Sequence, residues 1–273
     1  MTKRLVPLLL LFALTGCSTL PKNYIATDSR AVVNLEEMLG QIEDTRVVFT
    51  GELHGDRASH YVQLEVIKHL HKKGGKLVIA IEVFPSAMQD VLDRWVSGNI
   101  GKDDFAAIFQ RNVNLPFSPY EEIFEFARTT DTPIIAIDVE RSLVSDVSKN
   151  GIKTVPADFL QRIGFSACSE NPEYAEVLGF FREREYHQSG MPYLCDAQRL
   201  RDAVMAFNIA NILKSRGPAA VVVLTGIVHA TKVAVPGLLL KHANVSYKVI
   251  IPHSIKYVIK RSPGPDVADY IWY

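Results

Sequence analysis

The sequence has no Gly-x-Ser-x-Gly turn, so a serine nucleophile would lack its usual presenting elbow. It has neither a P-loop nor a Gly-x-Gly-x-x-Gly run, so a nucleotide phosphate would find no glycine cradle. Net charge is missing as well: 30 basic and 30 acidic residues cancel, leaving no global field to draw nucleic acid to the chain. Cysteine is scarce, three in 273 residues, and neither Cys168 nor Cys195 stands in a catalytic pattern. No segment is of low complexity. What remains is a chain long enough for one large α/β domain or two small ones, with ample core either way.

The only long apolar run is N-terminal. Lys3 and Arg4 precede an apolar stretch from Leu5 to Leu14, too short to span a bilayer comfortably, which ends in Leu14-Thr15-Gly16-Cys17. This closely resembles a bacterial lipoprotein signal in which Cys17 becomes the lipidated first residue. Residues 1–17 are then the signal peptide and 18–29 a tether, with the folded domain spanning 30–273. Ser18 follows the cysteine where an Asp would retain a lipoprotein in the inner membrane, so an outer-membrane anchor is expected. Cys168 and Cys195 remain after processing; a disulfide and two buried free thiols are both open to them.

Short β-branched runs end repeatedly in polar turns. Arg46 to Thr50 leads into Gly51-Glu52-Leu53-His54-Gly55-Asp56, and Leu77 to Ile81 into Glu82-Val83-Phe84-Pro85. Pro133 to Ile137 leads into Asp138-Val139-Glu140-Arg141, and Ala220 to Thr225 into Gly226-Ile227-Val228-His229. Such runs read as buried parallel strands, and open α/β sheets bind ligands beyond the carboxyl ends of their strands. Helical periodicity between them, as at Tyr61, Leu64, Ile67 and Leu70, gives an α/β fold: a parallel-sheet core with flanking helices. A helix is expected from Val32 to Ile42, and capping patterns at Ser86 and Ser118 open two more. A smaller helical lid subdomain, about 142–195, is inserted before the fourth strand.

His54, His229, Glu52, Glu82 and Asp138 would meet on one rim if the strands are neighbours. Two histidines and carboxylates suit a divalent metal, with His54, His229 and Glu82 as ligands, and equally suit metal-free acid/base work. Each has a plainer role available. Glu52 could cap the following helix, the histidines could be structural, and Asp138 could pair with Arg141. The lid carries Arg182, Arg184, Tyr186, His187 and Tyr193 beside apolar residues, which suits either a solvated face or a cover for a hydrophobic ligand.

Gly51-Glu52-Leu53-His54, Glu82-Val83-Phe84, Gln198 to Ala206 and Gly226-Ile227-Val228-His229 together resemble the ChaN family of haem-binding lipoproteins. That family lies in a superfamily with Tiki-like metalloproteases and erythromycin esterase-like hydrolases. The resemblance implies haem binding at the outer membrane in iron acquisition, with haems held between subunits of a homodimer by tyrosine and histidine, and an outer-membrane receptor or transport system as partner. On this chain it implies Tyr186, His187 and Tyr193 near the iron and Arg182 and Arg184 for the propionates. It also implies a hydrolase alternative on His54, Glu82 and His229, with Glu52, Asp138, Arg141 and Asp202 around them. Asp138 departs from the Asn that similar proteins tend to carry, which favours a hydrolytic or metal role at the rim.

Overall fold

A computed structural model of the chain describes residues 20–113, 115–178, 191–259 and 261–273. Eight strands form one sheet in the order β2-β1-β8-β7-β3-β6-β4-β5. They are β1 Tyr24–Ala26, β2 Val32–Val33, β3 Val47–Glu52, β4 Leu77–Pro85, β5 Ile134–Asp138, β6 Ala220–Gly226, β7 Tyr247–Pro252 and β8 Tyr270–Trp272. The six strands from β8 to β5 in that order are mutually parallel, whereas β1 runs antiparallel to both its neighbours. The central strand β3 is buried along its whole length, as a sheet covered on both faces requires.

The α/β fold and its parallel core are therefore as expected, and the sheet is larger than the sequence reading gave. Residues 24–26, expected in the tether, form β1, with Tyr24 fully buried. The helix expected from Val32 begins at Leu35, because Asn34 and Glu37 form a reciprocal capping box and Val32–Val33 pairs with β1 instead. The aromatic tail packs down as β8.

Two hydrophobic clusters sandwich the sheet. One is dominated by aromatics from helices Gln89–Val96, Lys102–Val113 and Glu121–Thr129, with the Phe105 and Trp95 rings stacked 4.4 Å apart. The capping pattern at Ser86 does not form. Gln89 instead bonds the edge strand β5 through Ile134 O and Ala136 N, each at 2.8 Å. The other cluster packs the long helix Leu194–Arg216 on the opposite face. The described part of the insertion before β6 joins that same cluster through Val155, Ile163, Tyr174 and Leu178, so it is continuous with the core. Cys168 and Cys195 are disulfide-bonded, which ties the insertion to the first turn of the long helix. Among the described residues no helix is long and apolar enough to cross a membrane.

Candidate active site and cleft

The parallel register carries Glu52 level with Gly226, and β4 and β5 end beside them, so all four strand ends share one rim. Glu52 is 2% exposed and closes β3. Its Oε1 accepts from Tyr120 Oη and lies 2.7 Å from His54 Nδ1, while Oε2 accepts from Gln63 Nε2 at 2.8 Å. His60 Nδ1 meets Gln63 Oε1 at 2.9 Å and stands 3.5 Å from Glu52. Glu52 does not cap the next helix: Asp56 does, accepting from Ser59 N at 2.9 Å. The buried carboxylate is held by donors from two helices and orients the His54 ring. Burial works against a charged His54, but the Glu52 hydrogen bond and the charge of Glu82 raise its pKa above the ordinary value.

His54 lies over Gly226. A Cβ at that position would stand 3.3 Å from His54 Nε2 and 3.6 Å from Glu82 Oε2, so the glycine leaves room for the imidazole beside the Glu82 carboxylate. Glu82 accepts from Gly226 N and, at 2.6 Å, from Arg201 Nη2. The same Nη2 donates to Asp138 Oδ2 at 2.6 Å, and Arg201 Nε adds a bond to each Asp138 oxygen at 3.3 and 3.1 Å. Burial opposes the charge on Glu82, yet His229, Arg201 and His54 outweigh it and hold its carboxyl down at about 2. For Asp138 burial prevails over Arg201 and raises the pKa.

His229 is 6% exposed at the end of β6. Its Nδ1 meets Asp202 Oδ1 at 2.5 Å and its Nε2 stands 3.2 Å from Arg201 Nη1. Burial again disfavours the charged ring, but Glu82 and Asp202 raise its pKa. Asp202, fully buried on the long helix, orients His229 much as Glu52 orients His54. The rim thus presents two histidine–carboxylate pairs with one guanidinium between Glu82 and Asp138.

Two cavities open on this rim and share His54, Glu82, Leu194 and Arg201. One, about 330 Å³, has mainly apolar walls from residues such as Leu53, Leu178, Ile227 and Val228. The other, about 470 Å³, reaches Asp138, Arg141 and Ser145.

The expected rim residues His54, His229, Glu52, Glu82 and Asp138 do come together, with Asp202 behind His229. Two readings are corrected. Asp138 pairs with Arg201 rather than Arg141, whose Nη2 donates to Val113 O at 3.0 Å. His54, His229 and Glu82 do not form a metal-binding set, and among the described residues no group of three or more His, Cys, Asp or Glu side chains is placed to hold a metal ion. The physical reason is that Arg201 occupies the cation position between the carboxylates and His229 is engaged at both nitrogens. His60 is buried beside Glu52. Arg182, Arg184, Tyr186, His187 and Cys17 lie outside the described residues. Tyr193 is 43% exposed immediately before the long helix.

Sequence reasoning gave Arg201, Tyr120 and Gln63 no place in the site. Gln63 lies one helical turn past His60 on the helix after β3, a spacing that could have flagged it. Tyr120 comes from a distant segment with no local signal.

The family described as haem-binding uptake, Tiki superfamily, ChaN matches residues 38–239. No curated protein sequence matches the chain. Among solved structures, one of cofacial haem binding to ChaN of Campylobacter jejuni is similar at TM-score 0.69 and 16% identity, over 93% of this chain and 97% of that one. A mutant erythromycin esterase in its open conformation is similar at TM-score 0.52 and 12% identity, over 84% and 76% of the two chains.

Proposed function

Because the chain belongs to the family described as haem-binding uptake, Tiki superfamily, ChaN, we propose that it binds haem, anchored through Cys17 to the outer membrane, and serves iron acquisition there. The observation that carries this reading is the family match over residues 38–239, a span that encloses every residue of the rim and both cavities. What supports the fit is the smaller cavity, whose apolar walls are able to face a porphyrin, with the half-exposed Tyr193 immediately before Leu194 and Cys195 of that lining. Haem would bring the iron. Tyr193, together with Tyr186 and His187, would supply its ligands, Arg182 and Arg184 would meet its propionates, and a homodimer and an outer-membrane receptor or transport system would be its partners.

Titrating the soluble chain, from residue 20 on, with haemin tests the reading. Saturable binding with a defined Soret band is expected, with a shift toward dimer on size-exclusion chromatography. The Tyr186→Phe, Tyr193→Phe double variant should abolish or reshape the band. A featureless, nonsaturating response would overturn haem binding, and unchanged binding by the double variant would remove these ligands.

A second reading is favoured by the two histidine–carboxylate pairs facing one cleft. His54 oriented by Glu52 and His229 oriented by Asp202 suit metal-free acid/base hydrolysis, with Glu82 between them. A His54→Ala protein would then lose turnover of an ester or peptide while keeping its fold. No turnover by the wild type across such substrates, with or without divalent metals, would remove this reading.

A further inference from the structure

We propose that Tyr174 is a positioning residue for His229: its phenol hydroxyl donates to the second carboxylate oxygen of Asp202, so that the insertion before β6 completes the support of this histidine. The proposal deepens the acid/base reading of the rim and rests on it for its effect on turnover. The contact itself is tested apart from that reading.

Asp202 has two oxygens, and only one of them is accounted for by His229. Oδ1 lies 2.5 Å from His229 Nδ1. Arg201 Nη1, always a donor, stands 3.2 Å from Nε2 of the same ring, so in the neutral imidazole Nδ1 carries the proton and Asp202 accepts from it. Asp202 Oδ2 is buried and has no hydrogen-bond partner among the described residues, and the Tyr174 hydroxyl is buried in the same condition. A buried carboxylate oxygen without a donor and a buried phenol without an acceptor are each costly, and each is what the other lacks.

The long helix brings the two together. Arg199 and Asp202 are three residues apart and share a face of it. The Arg199 guanidinium lies 4.7 Å from the centre of the Tyr174 ring, which seats the phenol over that face. Arg199 is itself held: Nη1 donates to Val233 O at 3.1 Å and Nη2 to Asn171 Oδ1 at 3.3 Å. Asn171 O in turn accepts from Ala175 N at 2.9 Å, in the turn that carries Tyr174. The disulfide between Cys168 and Cys195, with Cys168 N donating to Asp196 Oδ1 at 2.8 Å, fixes the start of this segment to the first turn of the long helix. Burial above all, and then the charge and hydrogen bonding of Asp202, hold the Tyr174 phenol well above its ordinary pKa. Tyr174 therefore keeps its proton and serves Asp202 as a donor.

Residues 172–178 are helical, and Leu178, one turn beyond Tyr174, lines the smaller cavity. One short helix thus walls the cleft with one side chain and steadies its histidine with another. The pairing also gives Arg199 a role. In Gln198-Arg199-Leu200-Arg201-Asp202, Arg201 neutralises the rim carboxylates, Asp202 orients His229, and Arg199 holds the residue that orients Asp202.

Tyr174→Phe keeps a ring under Arg199 and removes only the hydroxyl. In the soluble chain from residue 20 on, which holds every strand of the sheet, NMR of labelled histidine reads the His229 ring nitrogens, assigned by their loss in His229→Gln. With the phenol gone, Asp202 has more of its charge to direct at the ring, so the Nδ1 resonance should shift and the ring should titrate at higher pH than in the wild type. Glu82 and Arg201 also face the ring and are the same in both proteins. If Tyr174 only fills space, phenylalanine fills it too, and an unmoved His229 would overturn the inference. In an Asp202→Asn background the same substitution should leave His229 where it is. A shift of equal size there would show that the phenol acts by another route and would also overturn it. Where the wild type turns over an ester or peptide, kcat should fall several-fold at unchanged KM, and an unchanged kcat would overturn the positioning role. Absence of any such turnover would remove the acid/base reading and leave the NMR comparison to decide the contact.

Discussion

Replacing Arg201 by methionine removes the only cation seated between Glu82 and Asp138 among the described residues. Arg201 Nη2 is 2.6 Å from both Glu82 Oε1 and Asp138 Oδ2, and the three side chains are 19%, 3% and 9% exposed respectively. Removing one partner of a buried ion pair costs about 3–5 kcal/mol, because the other charge is left uncompensated. Here two carboxylates are left, so the upper part of that range is expected at neutral pH, a large share of a typical domain's ~5–15 kcal/mol. The pH dependence is the sharper signature. In the wild type Glu82 is held down at about 2, below its ordinary value of 4.5. Its contribution is therefore fully present above 4.5 and fades as pH falls toward 2. In the variant burial acts without the guanidinium, so Asp138 rises further above its ordinary value and Glu82 rises from its lowered one, held down only by His229, His54 and Gly226 N, and the folded variant takes up protons at higher pH than the wild type does. The stability gap, measured by urea denaturation, should thus be widest near neutrality and narrow on acidification. Adding Glu82→Gln and Asp138→Asn should recover much of the loss. A variant as stable as the wild type at neutral pH, or a gap indifferent to pH, would refute the assignment of Arg201 as the counter-ion.

Three further outcomes are expected. Asp202→Asn should lower the imidazole pKa of His229, read by NMR, because Asp202 is one of the two charges that raise it. The stability that charged His229 contributes is present below its ordinary value of 6.5 and lost as pH rises through the raised one, so the variant should lose it over a narrower window; an unmoved resonance would refute the pairing. Gly51→Ala should destabilise the protein by about 1–3 kcal/mol, since the added Cβ would stand 2.7 Å from Ile251 Cγ2 and 3.1 Å from Ile227 Cα. Thermal melts check it, and an unchanged midpoint would mean that the helix after β6 yields freely. The Cys168→Ala, Cys195→Ala pair should cost about 3.5 kcal/mol in chemical denaturation, the loop-closure value for a separation of 27 residues, and no loss would mean that the tie is redundant.

The parallel core could be read because β3, β4, β5 and β6 are short β-branched runs ending in glycine, carboxylate or histidine, and burial on both faces requires that composition. Once four strands share a sheet, Glu52, Glu82, Asp138 and His229 fall on one rim by geometry alone. The three strands beyond β7 were hidden for the same reason in reverse. β1, β2 and β8 have two or three residues each, too few for a period, and their pairing links Tyr24 to Trp272 across nearly the whole chain. The site's supporting groups were hidden because their roles depend on tertiary contacts. Tyr120 reaches Glu52 across 68 residues and Arg201 reaches Glu82 across 119.

Arg201 also decides what the rim can do. The same two carboxylates and two histidines, read as a list, describe a metal site, and only the position of a guanidinium turns them into something else. Its fork satisfies Glu82 and Asp138 with a fixed positive charge that cannot be lost at physiological pH and cannot act as a Lewis acid. The histidines it leaves are inequivalent. His229 is buried and engaged at both nitrogens, whereas His54 is 44% exposed with Nε2 turned toward Gly226 and Glu82. Of the two histidines, His54 is therefore the one whose ring is open to the cleft, with Glu52, Tyr120 and Gln63 setting its orientation from behind.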